Sequence, residues 1–414
     1  MLKGVLIITH DMQYKMNPER VEWFCLLKLL KNEGLKVFVI APYGTTNFDE
    51  KKWQDFKKSV EKESDGFYFF PKKKSIFKFI NPFIPYFASK NKPDLFEKED
   101  IFQFIEKIKS EFNLIIQDHV YSFEITKEVL KFYPDILTVL RTVNVEADFF
   151  LYHSKKYSPF DYKKYIGIYD GIRMKFYEPK VIKLMDMVLF LSTKDLEKIQ
   201  KKIKNIPFYF FPYIYSTDKK IFELSESDMA TFNKLKKEFA NRKVILFINN
   251  FSDGYSLKET KWFIKKVLPL VKKEESDVVF LCCGFNAEKY LKNNPEERIF
   301  IYSNLPSVKP FIKLADTIVI LTENKIGVKS KFIEALYFRK KVISTLAGVY
   351  GSGLENVAFC SDNKNEFSKL VIASLRNQLD FSKLYDEFEK KYNIEANIKK
   401  LINVIQTNFK ARLE

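Results

Sequence analysis

The stretch "TIVILTENKIGVKSKFIEALYFRKKVISTLAG" (Thr317 to Gly348) decides how this chain folds. "TIVILTE" is a short apolar run with β-branched residues, the pattern of a strand buried on both faces. "KSKFIEALYFRK" has helical spacing, and "KVIST" is strand-like again. Strand, loop, helix and strand in that order make one unit of a parallel sheet. The charges at the helix start then need a reason. Lys329 and Lys331 sit in the first turn, where the helix dipole disfavours cations. Two readings stand. In one, the helix is exposed, and Lys331 and Glu334 form a surface pair three residues apart. In the other, an anion such as a diphosphate belongs there, held by free N–H groups and two ammoniums. Gly327 has no side chain to keep a ligand away from the backbone, and the Glu334 carboxylate is placed to accept from a ribose diol.

The same alternation extends in both directions. Towards the N-terminus, "GVLIITH", "KVFVIAP", "GFYFFP", "NLIIQD", "ILTVLRT", "MVLFLST" and "PFYFFP" are strand-like, most of them separated by helical stretches. Tyr162 to Met185 reads as one long helix. A second series runs through "KVILFIN", "DVVFLCCG", "RIFIYS", "TIVILTE", "KVISTLAG" and "VAFCSD". The expected architecture is α/β, with two Rossmann-like parallel-sheet domains facing across a cleft. The expected boundaries are 1–215 for an acceptor-side domain, 216–241 for a linker, 242–380 for a donor-side domain and 381–414 for C-terminal helices that pack back toward the first domain. Open sheets of this kind bind ligands at the carboxyl ends of their strands.

The chain of 414 residues carries a net charge of +17. Such a balance favours anionic partners: nucleic acid, a lipid surface or phosphorylated small molecules. No apolar run approaches the ~18 residues of a membrane span, and the start lacks the apolar core and cleavage site of a signal peptide. Cys25, Cys282, Cys283 and Cys360 lie in apolar segments without C-x-x-C spacing. They read as buried thiols of a reducing compartment. With three histidines and no H-E-x-x-H or D-x-D, no metal site is expected.

Several further segments are site-like. "FINNFSDGYSLKETKWF" is the first strand–loop–helix of the second series, with Asn249 and Asn250 at its bend and Ser256 as the expected N-cap. "STLAGVYGSGLEN" gathers three of the 12 glycines after a strand. It suits backbone amides near a phosphate, and equally an ordinary connection. "RTVNVEADFF" puts Arg141, Asn144 and Glu146 at a strand end, where a helix cap plus an ion pair is the plainer alternative. His119 holds a similar place after "NLIIQD". "PKKKSIFKFINPFIPYFASKNK" (Pro71 to Lys92) has six lysines, no acid and many large apolar residues. Lys72, Lys73, Lys74, Phe77, Lys78 and Phe79 there suit an anionic membrane surface. Stacking on single-stranded nucleic acid or packing on the domain would also fit.

These residues resemble a known family. "ADTIVILTENKIGVKSKFIEA" is similar to the "G-x-G-x-R/K-x-K-x-x-E-A" phosphate-and-ribose motif of GT-B glycosyltransferases, closest to the retaining family 4 type. Gly327, Lys329, Lys331, Glu334 and Ala335 match, and Lys325 replaces the first glycine. "RKKVISTLAG" resembles the family's "G-x-P-V-V-x-T-x-x-G". "RTVNVEADFF" resembles its "R-x-x-N-x-E", and Arg20 matches an arginine of the first helix. The family's glycine-rich first loop reads "HDMQYKMNPER" here, and Asn249 stands where it has a glycine.

The resemblance implies a glycosyltransferase that moves a sugar from a UDP- or GDP-sugar to a glycan, lipid-linked or protein acceptor. The implied transfer is retaining and metal-independent, in bacterial surface-glycan assembly on the cytoplasmic side and peripheral on the membrane. The implied donor site is Asn249, Asn250, Ser303, Asn304, Leu305, Gly327, Val328, Lys329, Lys331 and Glu334. The implied acceptor side is His10, Arg20, Arg141, Asn144 and Glu146. Lys329, Lys331, His119 and Glu146 are the catalytic candidates. Two rival readings are a degenerate GT-B scaffold that only binds and, less favoured, a nucleic-acid-binding protein, for which no motif speaks.

Overall fold

A computed structural model describes residues 2–10, 18–44, 49–71, 85, 88, 91–93, 95–217, 222–251 and 254–413. The chain forms two compact units. The first comprises Met1–Thr217 and Asn393–Glu414, and the second Asp218–Tyr392.

The first unit is built on seven strands: β1 (Gly4–Ile8), β2 (Lys36–Tyr43), β3 (Gly66–Pro71), β4 (Leu114–Asp118), β5 (Leu137–Thr142), β6 (Met187–Phe190) and β7 (Phe208–Phe210). Their order is β3-β2-β1-β4-β5-β6-β7, and every pair is parallel. Alternate residues feed opposite faces. Val5, Ile7, Val37, Val39, Leu114 and Ile116 enter one core, while Leu6, Ile8, Phe38, Ile40 and Ile115 enter another. Both faces are buried, so the strands read as unbroken apolar runs.

The second sheet has six strands: β8 (Lys243–Asn250), β9 (Val278–Phe285), β10 (Ile299–Ser303), β11 (Thr317–Ile320), β12 (Val342–Ser344) and β13 (Phe359–Cys360). Their order, β10-β9-β8-β11-β12-β13, repeats the pattern of the first. In each sheet the winding reverses between its first and fourth strands. Ligands gather at that reversal, beyond the carboxyl ends.

The segment 216–241 is more than a tether. It holds the helix Glu226–Glu238, which buries Leu235 and is capped by Ser225, whose hydroxyl accepts from the Asp228 amide at 3.1 Å. The two terminal helices also part. Helix Ser382–Tyr392 stays with the second unit, where Phe388 meets Tyr337 edge-on at 5.0 Å and the Tyr392 hydroxyl donates to the Ser352 carbonyl at 3.0 Å. Only helix Ile394–Leu413 joins the first unit, giving Ile398, Leu401 and Ile405 to its core.

Among the described residues no helix is long and apolar enough to cross a membrane. The segment holding Lys72, Lys73, Lys74, Phe77, Lys78 and Phe79 lies outside the described residues. Cys25, Cys282 and Cys283 are buried free thiols, and Cys360 is half-buried.

Candidate functional site

In the second unit, β11 ends at Ile320 and the chain turns through Gly327 into helix Ser330–Tyr337. Gly327 has φ 62°, a left-handed conformation natural to glycine. The loop is pinned at its start. The Thr322 amide donates to Thr345 Oγ1 at 3.1 Å, and that hydroxyl donates to the Thr322 carbonyl at 2.7 Å. The Glu323 amide donates to Glu259 Oε1 at 2.9 Å.

Lys329 occupies the N-cap and its side chain makes no capping bond. Its ammonium turns back onto the loop instead, donating to the Ile326 carbonyl at 2.7 Å and reaching the Gly327 carbonyl at 3.5 Å. Lys331 reaches Glu334 Oε2 at 2.6 Å. Glu334 is only 7% exposed, so this pair is more than the surface contact that spacing alone allows. The first amides of a helix have no intrahelical partner, and here a lysine–carboxylate pair lies on the first turn beside them. An anion arriving there would find amides and an ammonium that can exchange a carboxylate for a phosphate.

The other residues expected at the donor are tied into the fold. Asn249 lies on β8 opposite Gly284 of β9. A Cβ on Gly284 would fall 1.9 Å from the Asn249 carbonyl oxygen, so the two backbones touch there. The Asn250 amide donates to Asn249 Oδ1 at 2.8 Å. Asn304 adopts φ 53°, and its Oδ1 accepts from the Asn286 amide at 3.1 Å. Ser303 ends β10, and Leu305 and Val328 are half-buried.

One expectation changes, and one open alternative gains detail. Ser256 does not cap the helix: Gly254–Trp262 already begins before it, and its hydroxyl donates back to the Asn250 carbonyl at 2.6 Å. The glycine loop after β12 has two of its glycine backbone groups already engaged. The Gly351 amide donates to Glu355 Oε1 at 2.8 Å, and the Gly353 carbonyl accepts from Lys391 at 2.6 Å. It behaves as a connection that seats helix Ser382–Tyr392.

In the first unit the carboxyl ends of β1, β4 and β5 carry a buried charge network. Arg141, 1% exposed, pairs with Asp118 Oδ1 at 2.5 Å and with Glu22. Burial works against its charge, but the carboxylates of Glu22 and then Asp118 outweigh it and raise its pKa. Thr9 Oγ1 donates to Asp118 Oδ2 at 3.2 Å. Arg20, also buried, donates from Nη2 to the His10 carbonyl at 3.2 Å. Asn144 takes part through its backbone, its carbonyl accepting from Thr142 Oγ1 at 2.7 Å.

Beside this network lies an aromatic and carboxylate cluster. His119 Nδ1 is 3.1 Å from Glu146 Oε1, and the Tyr121 hydroxyl donates to Glu146 Oε2. The rings of His119 and Tyr121 stack at 5.4 Å, and His10 meets His119 edge-on at 4.3 Å. His119 has φ 61° and ψ 150°. Such a backbone costs on the order of 1–3 kcal/mol and collects at functional positions. Hydrogen bonds hold it: its amide donates to the Arg141 carbonyl at 2.8 Å, and its carbonyl accepts from Gln117 Nε2 at 3.0 Å.

Glu146 opens helix Glu146–Ser154, whose N-cap Val145 has no side-chain oxygen to offer. Glu178 supplies it from helix Tyr162–Ile182, its Oε1 accepting from the Glu146 amide at 3.0 Å. Burial, and then the Glu146 charge, push the Glu178 carboxyl up to about 8. The sequence points to His10, Arg20, His119, Arg141, Asn144 and Glu146. It does not single out Glu22, Asp118, Tyr121 or Glu178, which the fold places beside them. For Asp118 a signal existed, a carboxylate closing an apolar strand directly before His119.

Residues 242–377 match the family model described as glycosyl transferases group 1. The chain carries a group 1 glycosyltransferase domain. A glycosyltransferase from Rickettsia africae is similar in fold to the whole chain, with a TM-score of 0.64, 14% identity and coverage of 99% of both chains. HepE of Anabaena in complex with UDP is similar with a TM-score of 0.62 and 11% identity, over 98% of this chain and 100% of that one. At such identities the likeness establishes the fold, which is GT-B.

An uncharacterized 44.6 kDa protein of the cps region of Klebsiella pneumoniae is 26% identical over 202 residues, spanning 46% of this chain and 47% of that protein. The glycosyltransferase domain contains the Lys331–Glu334 pair and the whole of β11. Among the described residues no cluster of histidine, cysteine and carboxylate side chains could hold a metal ion.

Proposed function

We propose that this glycosyltransferase moves a sugar from a nucleoside-diphosphate sugar, UDP- or GDP-linked, to a glycan, lipid-linked or protein acceptor of surface-glycan assembly. The reading is of a retaining, metal-independent enzyme on the cytoplasmic side, peripheral on the membrane. The observation that carries it is the pairing of half-buried Lys331 with buried Glu334 at the start of the helix after Gly327, inside the matched domain. Lys331 and the helix amides would take the diphosphate and stabilise the charge of the leaving group. Glu334 would hold the ribose hydroxyls. The bound UDP of the Anabaena relative and the cps region of the Klebsiella one support the donor class and the glycan setting. His10, Arg20, His119, Arg141, Asn144 and Glu146 are the acceptor-side proposal, His119 and Glu146 being the pair nearest to acid–base chemistry.

Calorimetric titration of UDP and GDP into wild type and Lys331→Ala tests this. A lost charged hydrogen bond weakens binding by roughly 10- to 100-fold. Equal affinity of the two proteins, or no binding by either, would overturn the reading. Asn249, in place of the family's glycine, favours one second reading, a scaffold that binds donor without turnover. Transfer or hydrolysis of a nucleotide sugar by the purified protein excludes it.

A further inference from the structure

Helix Tyr162–Ile182 has two faces of opposite character. Its inner face is made for close packing. Gly167 and Gly171 lie one turn apart; a Cβ on Gly171 would come within 2.6 Å of Leu151 Cγ, and one on Gly167 within 2.9 Å of Ser154 Cβ. Helix Glu146–Ser154 is seated there, and Met174, Tyr177, Val181 and Ile182 continue the buried stripe.

The outer face carries Tyr162, Tyr165, Tyr169, Ile172 and Phe176, all exposed. Their spacing of three and four residues places them on one line, roughly 21 Å long at the helical rise. Phe160 precedes them at 98% exposure and Phe176 closes the line at 77%. Large apolar side chains in a contiguous exposed row mark a contact surface.

The charges alongside are of one sign. Lys163, Lys175, Lys180 and Lys183 are exposed, as are Lys155 and Lys156 just before the helix. The helix's own acids, Asp170 and Glu178, face inward at 0% and 3% exposure. Asp161 is spent on the N-cap, accepting from the Lys163 amide at 2.9 Å.

We infer that this face docks on an anionic lipid surface, tyrosines and Phe176 entering the headgroup region and the lysines meeting lipid phosphates. Aromatics with lysines and no outward acid are the composition of an interfacial helix. A second copy of the chain fits poorly, because a two-fold contact along this helix sets lysines against lysines. The inference deepens the peripheral-membrane part of the proposed function by assigning a face to it. It is independent of the donor-site part.

The test uses flotation of the full chain with vesicles of phosphatidylcholine alone and with phosphatidylglycerol added. Wild type binds the anionic vesicles, and binding falls with salt. Ile172→Ser/Phe176→Ser lowers the bound fraction at least about tenfold, while thermal stability and UDP binding stay as in wild type. Lys163→Glu/Lys175→Glu lowers it similarly and flattens the salt dependence. Unchanged vesicle binding by both double variants overturns the inference. If binding is instead lost on Lys72→Ser/Lys73→Ser/Lys74→Ser alone, the peripheral reading stands and this face is excluded from it. A concentration-dependent dimer in sedimentation, abolished by the Ile172/Phe176 variant without change in vesicle binding, also overturns it in favour of self-association.

Discussion

Glu178 links the stability of the first unit to pH in a way that one substitution should erase. Its carboxyl is fully buried, accepts from the Glu146 amide at 3.0 Å and is raised from 4.5 to about 8. A raised carboxyl favours the neutral form in the folded state. Its contribution is therefore complete below the unfolded value of 4.5 and is lost as pH rises through about 8. At ~1.4 kcal/mol for each tenfold change in acidity, that gap bounds the loss at roughly 5 kcal/mol. Glu178→Gln keeps an oxygen for the Glu146 amide and removes the ionisation. Urea denaturation from pH 5 to 9 measures the effect. It should be run in a Trp262→Phe background, so that emission comes from Trp23 and Trp53 of the first unit. Wild type should lose stability across that range, and the variant should lose several kcal/mol less. Identical pH slopes would refute the burial argument.

Two more predictions follow from packing. Arg141→Met strands the carboxylates of Glu22 and Asp118 in the interior and should cost ~3–5 kcal/mol; adding Glu22→Gln and Asp118→Asn should restore most of it, read by the same denaturation. Gly284→Ala forces a Cβ to within 1.9 Å of the Asn249 carbonyl oxygen. It should lower the melting temperature of the second unit by several degrees through about 1–3 kcal/mol of overpacking, and an unchanged melt would contradict the backbone contact.

How much of this was legible in the sequence depends on how local each feature is. Strands such as "GVLII" and "VVFLCC" announce themselves because both faces are buried and no alternation is needed. The Lys331–Glu334 pair is legible because three residues on a helix bring side chains together. The Arg141–Glu22 pair is not, since the first helix and fifth strand meet only when the sheet order is set. Glu178 was hidden for the same reason: it caps a helix belonging to another segment. Ser256 misled because an N-cap residue type also serves inside a first turn. The outward placing of the aromatic row from Tyr162 to Phe176 is hidden for another reason. Residue type alone sends aromatics inward, and only the glycines at 167 and 171 say that the other face is the buried one.

The return of helix Ile394–Leu413 to the first unit has a consequence for synthesis. Residues 218–392 form an unbroken segment, so the second unit has all its parts before the ribosome reaches the last helix. The first unit, although begun earliest, lacks Ile398, Leu401 and Ile405 until the end. During translation its sheet must wait with part of one core face uncovered, and the second unit is the one equipped to mature first.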